Sequence, residues 1–403
     1  MASLMTSQML PTTNSAVKEP AGRLLERIAS GSDPTQICWS SSELLSRLHE
    51  DQISLPTDCV EILMVAMQNI AGPGAIEGAP TWKPPVRGRP LHANRVLGGG
   101  PSLAAAFQPF SLEVLEASSS LLLLLHSLLL RKFEDIQLLR QHLLEAESGK
   151  PSSFWFFLRI LATETGMQGA SAFVHCCQVL ALVADAQEDV ARALRAARVL
   201  QIVSDRLLGS LDDSGPESLG PEWLPFATAA VRLTEVLVSV EDSECLRLAD
   251  PSLYVPAWAH AARPDRVIES VVQSLRRSLI HERGFLVAQA LHLSGLEVLR
   301  FIATTSRPQA QRMLSMQVPE LAVSVLMHEG SHEEVLVRGL QLLNALAPGS
   351  PFGGKAIAAA GAADAAVKAA KRYPRSMEVQ QESLKILQTC DSLTARLRQL
   401  TSR

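Results

Sequence analysis

The stretch GAADAAVKAAKRYPRSMEVQQESLKIL, residues 361–387, contains two apolar-periodic segments separated by a short break at residues 373–376. Moved back by 44 positions (361 − 317), it aligns without a gap on QVPELAVSVLMHEGSHEEVLVRGLQLL, residues 317–343. Aligned positions carry similar residue types; Leu384, for example, aligns with Leu340. Self-similarity at a fixed period of this length is typical of proteins built from stacked helical repeats.

The last helix of each unit carries one apolar stripe with the spacing i, i+4, i+8, i+11, which is one face of an α-helix. Its second position holds Gly295, Gly339 and Ser383 in the last three units. Glycine inside a helix costs ~1 kcal/mol relative to alanine, so its recurrence predicts a close crossing by a neighbouring helix; chance is the alternative. The stripes are Leu291, Gly295, Leu299 and Ile302; Val335, Gly339, Leu343 and Leu346; and Val379, Ser383, Leu387 and Cys390.

The composition of the 403-residue chain favours packed helices. Hydrophobic residues make up 47% and aromatic residues only 4%, with leucine and alanine abundant, and no run alternates as a half-buried strand would. The apolar run at 117–130 is shorter than the roughly 20 residues of a spanning helix, so we expect a buried helix and no membrane span. The net charge of −4 gives no broad electrostatic attraction to nucleic acid, and none is expected as a partner.

Composition shifts along the chain predict four regions. Residues 1–20 are interpreted as a flexible tail, 21–71 as N-terminal helices, 72–102 as a basic Gly/Pro-rich linker or exposed loop, and 103–403 as a helical repeat domain. Residues 40–42 are predicted to cap the second helix. The six cysteines form no C-x-x-C pair, which indicates a reducing compartment and a cytoplasmic location.

The segment AIAAAGAADAAVKAAKRYPRSMEVQQESLKIL, residues 356–387, resembles an armadillo repeat. It has a short first helix, a turn ending at Gly361, a second helix, a four-residue break and a third helix led by Val379-Gln380. The preceding unit is similar but has Gln317 where the family has glycine, and residues 174–208 resemble a third helix followed by two more. The resemblance, clearest over 309–390, implies an all-α fold, an armadillo/HEAT-like right-handed α-solenoid with a groove lined by third helices.

The resemblance also identifies a departure. Many armadillo proteins carry a tryptophan and an asparagine on the third helix that hold an extended peptide backbone. The tryptophan positions here are Glu297, Gln341 and Lys385, and the asparagine positions are Phe301, Ala345 and Thr389. An importin-like mode of binding basic peptides is therefore not expected.

Six polar residues lie at +6 and +9 from the start of each stripe, on the side of the helix away from the core. We interpret them as a protein-binding surface, with an ordinary solvated face as the alternative. They are Glu297, Arg300, Gln341, Asn344, Lys385 and Gln388. Two basic clusters, at 192–198 and 368–375, are either solvated faces or surfaces for an acidic partner.

No set of residues predicts catalysis. The segment at 98–102, GGGPS, lacks the Lys-Ser/Thr of a phosphate-binding loop, and His328 and His332 are separated by a helix-breaking glycine. We expect no catalytic residues, no cofactor and no metal. The function expected is a non-enzymatic scaffold or adaptor for a partner protein. The alternatives are a transport or trafficking cargo adaptor and a substrate-receptor subunit of a ubiquitin ligase, and the oligomeric state stays open.

Overall fold

The computed structural model describes residues 21–31, 33–49, 58–71, 110–131, 133–144, 153–162, 169–212, 223–239, 263–280, 288–328, 331–348 and 352–401. Their regular structure is entirely helical, as predicted. The helices are α1 (Ala21–Ser30), α2 (Pro34–His49), α3 (Cys59–Ala71), α4 (Leu112–Leu129), α5 (Phe133–Leu144), α6 (Ser153–Ala162), α7 (Ala170–Ala186), α8 (Glu188–Ala196), α9 (Val199–Asp212), α10 (Trp223–Ser239), α11 (Pro264–Ile280), α12 (Gln289–Thr305), α13 (Arg307–Ser315), α14 (Val318–Met327), α15 (Glu333–Leu346), α16 (Gly353–Ala359), α17 (Ala362–Arg372) and α18 (Met377–Thr401).

The helices stack in two continuous layers. One layer consists of third helices, each packed against the next, in the order α2, α4, α7, α10, α12, α15 and α18. The other consists of second helices in the order α3, α6, α9, α11, α14 and α17. Short first helices, such as α8, α13 and α16, contact both layers of their own unit. Each unit thus buries its apolar sides against its neighbours, and the chain is an armadillo-like α-solenoid.

A left-handed backbone residue recurs between the first and second helices of three units. It is Arg198 with φ 60°, Gln317 with φ 58° and Gly361 with φ 84°. The first helix of each of these units ends and the second begins at this residue, as the armadillo resemblance implies at Gly361. Glycine adopts this conformation without strain, whereas Arg198 and Gln317 adopt it at a cost of roughly 1–2 kcal/mol each.

The predicted close crossing at the stripe glycines is confirmed. A Cβ built on Gly295 would lie 2.9 Å from Cδ2 of Leu275, and one built on Gly339 would lie 2.8 Å from Cδ2 of Leu326. Both leucines belong to the second helix of the same unit, α11 and α14. In the last unit the stripe position holds Ser383. Leu326 precedes Gly339 by thirteen residues, and the residue thirteen positions before Ser383 is the smaller Ala370. Gly295 and Gly339 thus each leave room for a leucine of the second helix in the same unit.

The stripe positions are buried in all three units, except that Leu387 is only partly covered. Leu296 and Leu340 are also fully buried, whereas the equivalent Leu384 is exposed. The first two lie on α12 and α15, which the following third helix covers. The repeat thus uses a second apolar position on the third helix to contact the next unit.

The apolar run at 117–130 lies mostly in α4, whose leucines are largely buried between neighbouring helices. Its last residue, Leu130, is exposed. No helix in the described ranges is both long and apolar enough to cross a bilayer.

The N-terminal part differs from expectation at one helix boundary. Helix α2 begins at Pro34, so residues 40–42 lie inside it, and the prediction that they cap it is wrong. Ser40 and Ser41 are instead buried in the packed helices. Helix α2 also packs on α4 as the first member of the third-helix layer. The predicted tail at 1–20 and linker at 72–102 lie outside the described residues, and the division into regions stays a prediction.

Candidate protein-binding surface

The sides of α10, α12, α15 and α18 that carry Arg232, Glu297, Gln341 and Lys385 are here called the third-helix face. Four of the six predicted binding residues, Glu297, Arg300, Gln341 and Asn344, are half-buried in polar contacts on this face, while Lys385 and Gln388 are exposed. The six are therefore not uniformly solvated side chains, because several are held by residues of a neighbouring third helix.

Glu297 is the centre of the first group of contacts. Its carboxylate accepts a hydrogen bond of 2.8 Å from Nε of Arg300, one turn further along α12. It also forms an ion pair of 3.2 Å with Nη1 of Arg338, which belongs to α15. Burial raises the pKa of Glu297, but the hydrogen bond and the charges of both arginines outweigh that effect and hold the pKa below its ordinary value. Glu297 is thus ionised and couples two successive units.

The contacts continue from α15 to α18. Nδ2 of Asn344 donates to Oε2 of Glu382 at 2.7 Å and to its backbone oxygen at 3.1 Å. Nζ of Lys385 donates to the other carboxylate oxygen of Glu382 at 2.7 Å. The pKa of Arg300 is raised, chiefly by its hydrogen bond to Glu297, with Glu382 contributing through its charge. Charges on α12 and α18 therefore affect each other across α15.

Sequence reasoning missed the same arrangement on α10. Arg232 forms ion pairs with Glu235 at 2.7 Å and with Asp185 of α7 at 3.5 Å. Positions 232 and 235 correspond to Glu297 and Arg300 at a shift of 65 (297 − 232 and 300 − 235), so the same pair recurs with its signs exchanged.

A signal for this unit was present in the sequence. Phe226, Ala230, Thr234 and Leu237 repeat the i, i+4, i+8, i+11 stripe, again with a small residue second, and all four are buried. The shift of 65 exceeds the 44-residue period of the later units. A comparison of the sequence with itself at one fixed period therefore does not detect the unit that contains α10.

Toward the N-terminus the third helices are linked by neutral groups. Sγ of Cys38 lies 3.2 Å from Oγ of Ser120, joining α2 to α4. Oγ of Ser119 lies 3.0 Å from Nδ1 of His175, joining α4 to α7. Burial is the main cause that lowers the pKa of His175, so the imidazole is neutral near pH 7. By contrast, ion pairs between side chains join α7 to α10, through Asp185 and Arg232, and α12 to α15, through Glu297 and Arg338.

The two basic clusters have structural roles. Nη1 of Arg195 donates to the backbone oxygen of Leu237 at 3.2 Å, and Arg195 is almost completely buried. The alternative that the basic cluster at 192–198 is a solvated helix face is therefore wrong for Arg195. In the second cluster, Lys368 and Arg372 donate to the backbone oxygens of residues 327 and 328 at the end of α14. Cations near a helix C-terminus satisfy its last carbonyls and complement its dipole.

The described residues contain no group of three or more His, Cys, Asp or Glu side chains that could hold a metal ion. Cys176 and Cys177 are fully buried, and burial raises the pKa of the Cys177 thiol. A buried thiol of raised pKa is a poor nucleophile. His292 is also fully buried, with Nε2 at 2.8 Å from Oγ of Ser278. These groups belong to the packed interior.

No family model and no curated protein matches the chain. Among solved structures, the chain is similar to a designed armadillo repeat protein, with 15% identity, a TM-score of 0.47, and 70% of this chain and 95% of that chain covered. Two engineered proteins are also similar. One has 16% identity, 71% and 95% coverage and a TM-score of 0.47, and the other 15% identity, 93% and 92% coverage and a TM-score of 0.40. The helix contacts within this chain define its fold without reference to these likenesses.

Proposed function

We propose that the chain is a non-enzymatic scaffold or adaptor that binds a partner protein along the third-helix face. The observation that supports this most is that polar side chains on this face contact neighbouring third helices, Arg232 contacting α7, Glu297 contacting α15 and Asn344 contacting α18. These contacts hold side chains of neighbouring units in fixed positions, and ordered side chains lose less entropy when a partner binds.

A cytoplasmic adaptor is consistent with the thiol chemistry. The cysteines at the described positions are free, and most of them are buried. Unpaired cysteines fit a reducing compartment. A cargo adaptor and a substrate-receptor subunit of a ubiquitin ligase would use the same surface, so the identity of the bound partner distinguishes between them.

The proposal is tested by quantitative affinity capture from the native cell with a fourfold variant of the face. The variant changes Glu297, Arg300, Gln341 and Lys385 to alanine. The variant also removes the Glu297–Arg338 and Lys385–Glu382 ion pairs, so we expect a loss of up to about 1 kcal/mol for each pair, and thermal unfolding is used to check that the variant is folded. Partners that bind the face should be depleted at least about tenfold relative to the unchanged protein.

The matched control changes four exposed residues of the first and second helices, with the same net loss of one positive charge. They are Gln311, Lys355, Asp364 and Lys371. The control should retain the captured partners. Equal capture by the unchanged protein and the fourfold variant would show that the third-helix face is not the binding surface.

A further inference from the structure

Two serines of the chain follow an arginine by three residues, Ser30 after Arg27 and Ser315 after Arg312. Many serine kinases select their substrates by basic residues placed before the serine. Both serines are exposed, and each is the last residue of its helix, α1 or α13. Because their local patterns match, differences between the two sites come from the neighbouring helices.

The hydroxyl group of Ser315 is held against its own helix, where Oγ donates to the backbone oxygen of Arg312 at 2.6 Å. A phosphate on this hydroxyl carries only acceptor oxygens at neutral pH, so it would lose this contact with a carbonyl oxygen. The negative end of the helix dipole also disfavours a dianion at the end of α13. A phosphate on Ser315 therefore turns away from its own helix toward donors of neighbouring side chains.

Arg276 of α11 supplies such donors. Its Nη2 donates to the backbone oxygen of Met316, the residue that follows Ser315, at 2.6 Å. A guanidinium carries five N–H donors, and arginine commonly binds phosphate through two of them at once. The guanidinium of Arg276 is thus already fixed beside Ser315, with further donors for a phosphate.

Among the described residues, no acidic side chain of α11 or α14 forms an ion pair with Arg276. Asp265 of α11 pairs instead with Arg312 at 2.9 Å. Glu269 precedes Arg276 by seven residues (276 − 269), about two helical turns, and Glu320 lies in the first turn of α14. The Arg312–Asp265 pair is nearly half exposed, and exposed pairs are weak, so a kinase can compete for Arg312.

We propose that Ser315 is a phosphorylation site for an arginine-directed serine kinase and that Arg276 binds the resulting phosphate. In the transfer, Oγ of Ser315 attacks the γ-phosphorus of ATP. The bond from that phosphorus to the oxygen bridging to the β-phosphate breaks, ADP leaves, and the hydroxyl proton passes to a base of the kinase. Helix α11 belongs to the unit that ends with α12, and α13 begins the next unit. The phosphate therefore adds a charge-assisted contact between successive units, which goes beyond the proposed binding of a partner.

Ser30 provides a comparison within the same molecule. Its Oγ donates to the backbone oxygen of Glu26 at 2.7 Å, as Ser315 does within its own helix. The side chain that reaches the end of α1 from α3 is Asn69, whose Nδ2 donates to the backbone oxygen of Ala29 at 3.2 Å. An amide carries no charge, so α3 supplies no cation to a phosphate on Ser30.

The first test asks whether the folded protein is modified at Ser315. The full chain is incubated with ATP and a serine kinase that requires arginine three residues before its target, and the products are mapped by mass spectrometry. We expect phosphate on Ser315, formed at least about tenfold more slowly in Arg312→Gln. Arg307→Gln removes the same charge from α13 and should change the rate by less than about twofold.

The second test asks whether Arg276 binds the phosphate. Removal of phosphate from Ser315 by a serine phosphatase should be about tenfold faster in Arg276→Gln, because charge-assisted hydrogen bonds to the phosphate are lost. Removal from Ser30 should not respond to this change. In phosphorus NMR, Arg276→Gln should also raise the second pKa of the Ser315 phosphate, since a nearby cation favours the dianion. Arg266→Gln, an exposed arginine of the same helix, is the control for both measurements and should alter neither.

Two results would overturn the inference. One is the absence of phosphate from Ser315 after kinase treatment that modifies Ser30, because the arginine and the exposure are common to both serines. The other is a phosphate on Ser315 whose rate of removal and pKa are the same in Arg276→Gln as in the unchanged protein, which would show that Arg276 does not bind it.

Discussion

The contact between Gly339 and Leu326 allows a quantitative test of the repeat architecture. Leucine at position 339 would begin with a Cβ 2.8 Å from Cδ2 and 3.1 Å from Cγ of Leu326. Both residues are buried, so the second helix cannot yield without disturbing its neighbours. Overpacking of this kind typically costs 1–3 kcal/mol, and we expect about that loss for Gly339→Leu.

The second part of this test removes the obstructing side chain. Leu326→Ala alone should cost about 2–5 kcal/mol, because it leaves a cavity between α14 and α15. In the double variant, the leucine at position 339 occupies part of that cavity. Two independent changes would sum to about 3–8 kcal/mol. We expect the double variant to be no less stable than Leu326→Ala, which is a coupling of at least about 1 kcal/mol.

The measurement is urea unfolding followed by far-ultraviolet circular dichroism, with midpoints compared at an unchanged slope. Gly209→Leu is the matched control, because a Cβ at Gly209 meets nothing within 4 Å. That change replaces a poor helix former in α9 and should stabilise by up to about 1 kcal/mol. Additive losses in the double variant, or an equal loss at Gly209, would refute the close crossing of second and third helices.

Three further predictions concern the turns and the buried polar groups. Gln317→Gly should stabilise the protein by about 0.5–1 kcal/mol and Gly361→Ala should destabilise it by about 1 kcal/mol, because both positions have positive φ; thermal unfolding showing the opposite order would contradict the shared turn. Burial lowers the pKa of His292 to about 4, below the ordinary 6.5. The free energy of unfolding is therefore not reduced by this histidine above pH 6.5, and it falls by about 3 kcal/mol as the pH decreases from 6.5 to 4. Chemical unfolding of His292→Gln should lack that component, and an unchanged pH dependence would argue against a buried neutral imidazole. Arg195→Met should lower the free energy of unfolding by about 1–3 kcal/mol, since a backbone acceptor at Leu237 loses its donor; no loss would mean that water replaces the guanidinium.

The repeat, and the close crossing of its second and third helices, could be predicted because both depend on the residue pattern of a single helix. A glycine at the second stripe position is unfavourable in an isolated helix, so its recurrence at Gly295 and Gly339 signals a neighbour. The identity of that neighbour could not be predicted. Leu275 precedes its glycine by twenty residues and Leu326 by thirteen, and nothing local marks either leucine as the contact.

The third-helix face was harder to predict from sequence for the same physical reason. The +6 and +9 positions follow from helix geometry, so Glu297 and Asn344 could be placed on one side of their helices. Their actual partners, Arg338 and Glu382, lie 41 and 38 residues further along the chain (338 − 297 and 382 − 344). Such pairs depend on the offset between neighbouring helices, which one sequence does not specify. The structure therefore adds specific contacts, such as Glu297 with Arg338 and Asn344 with Glu382, that the pattern of one helix does not contain.

The most direct test of the account locates a bound partner on the molecule. A photo-cross-linking amino acid is placed at Gln341, in the middle of the third-helix face, and separately at the exposed Lys355 on the first-helix side. After irradiation in the native cell, the cross-linked products are resolved and identified. The account predicts a discrete protein adduct from position 341 and none from position 355. Adducts from position 355 alone, or the same adducts from both positions, would contradict it.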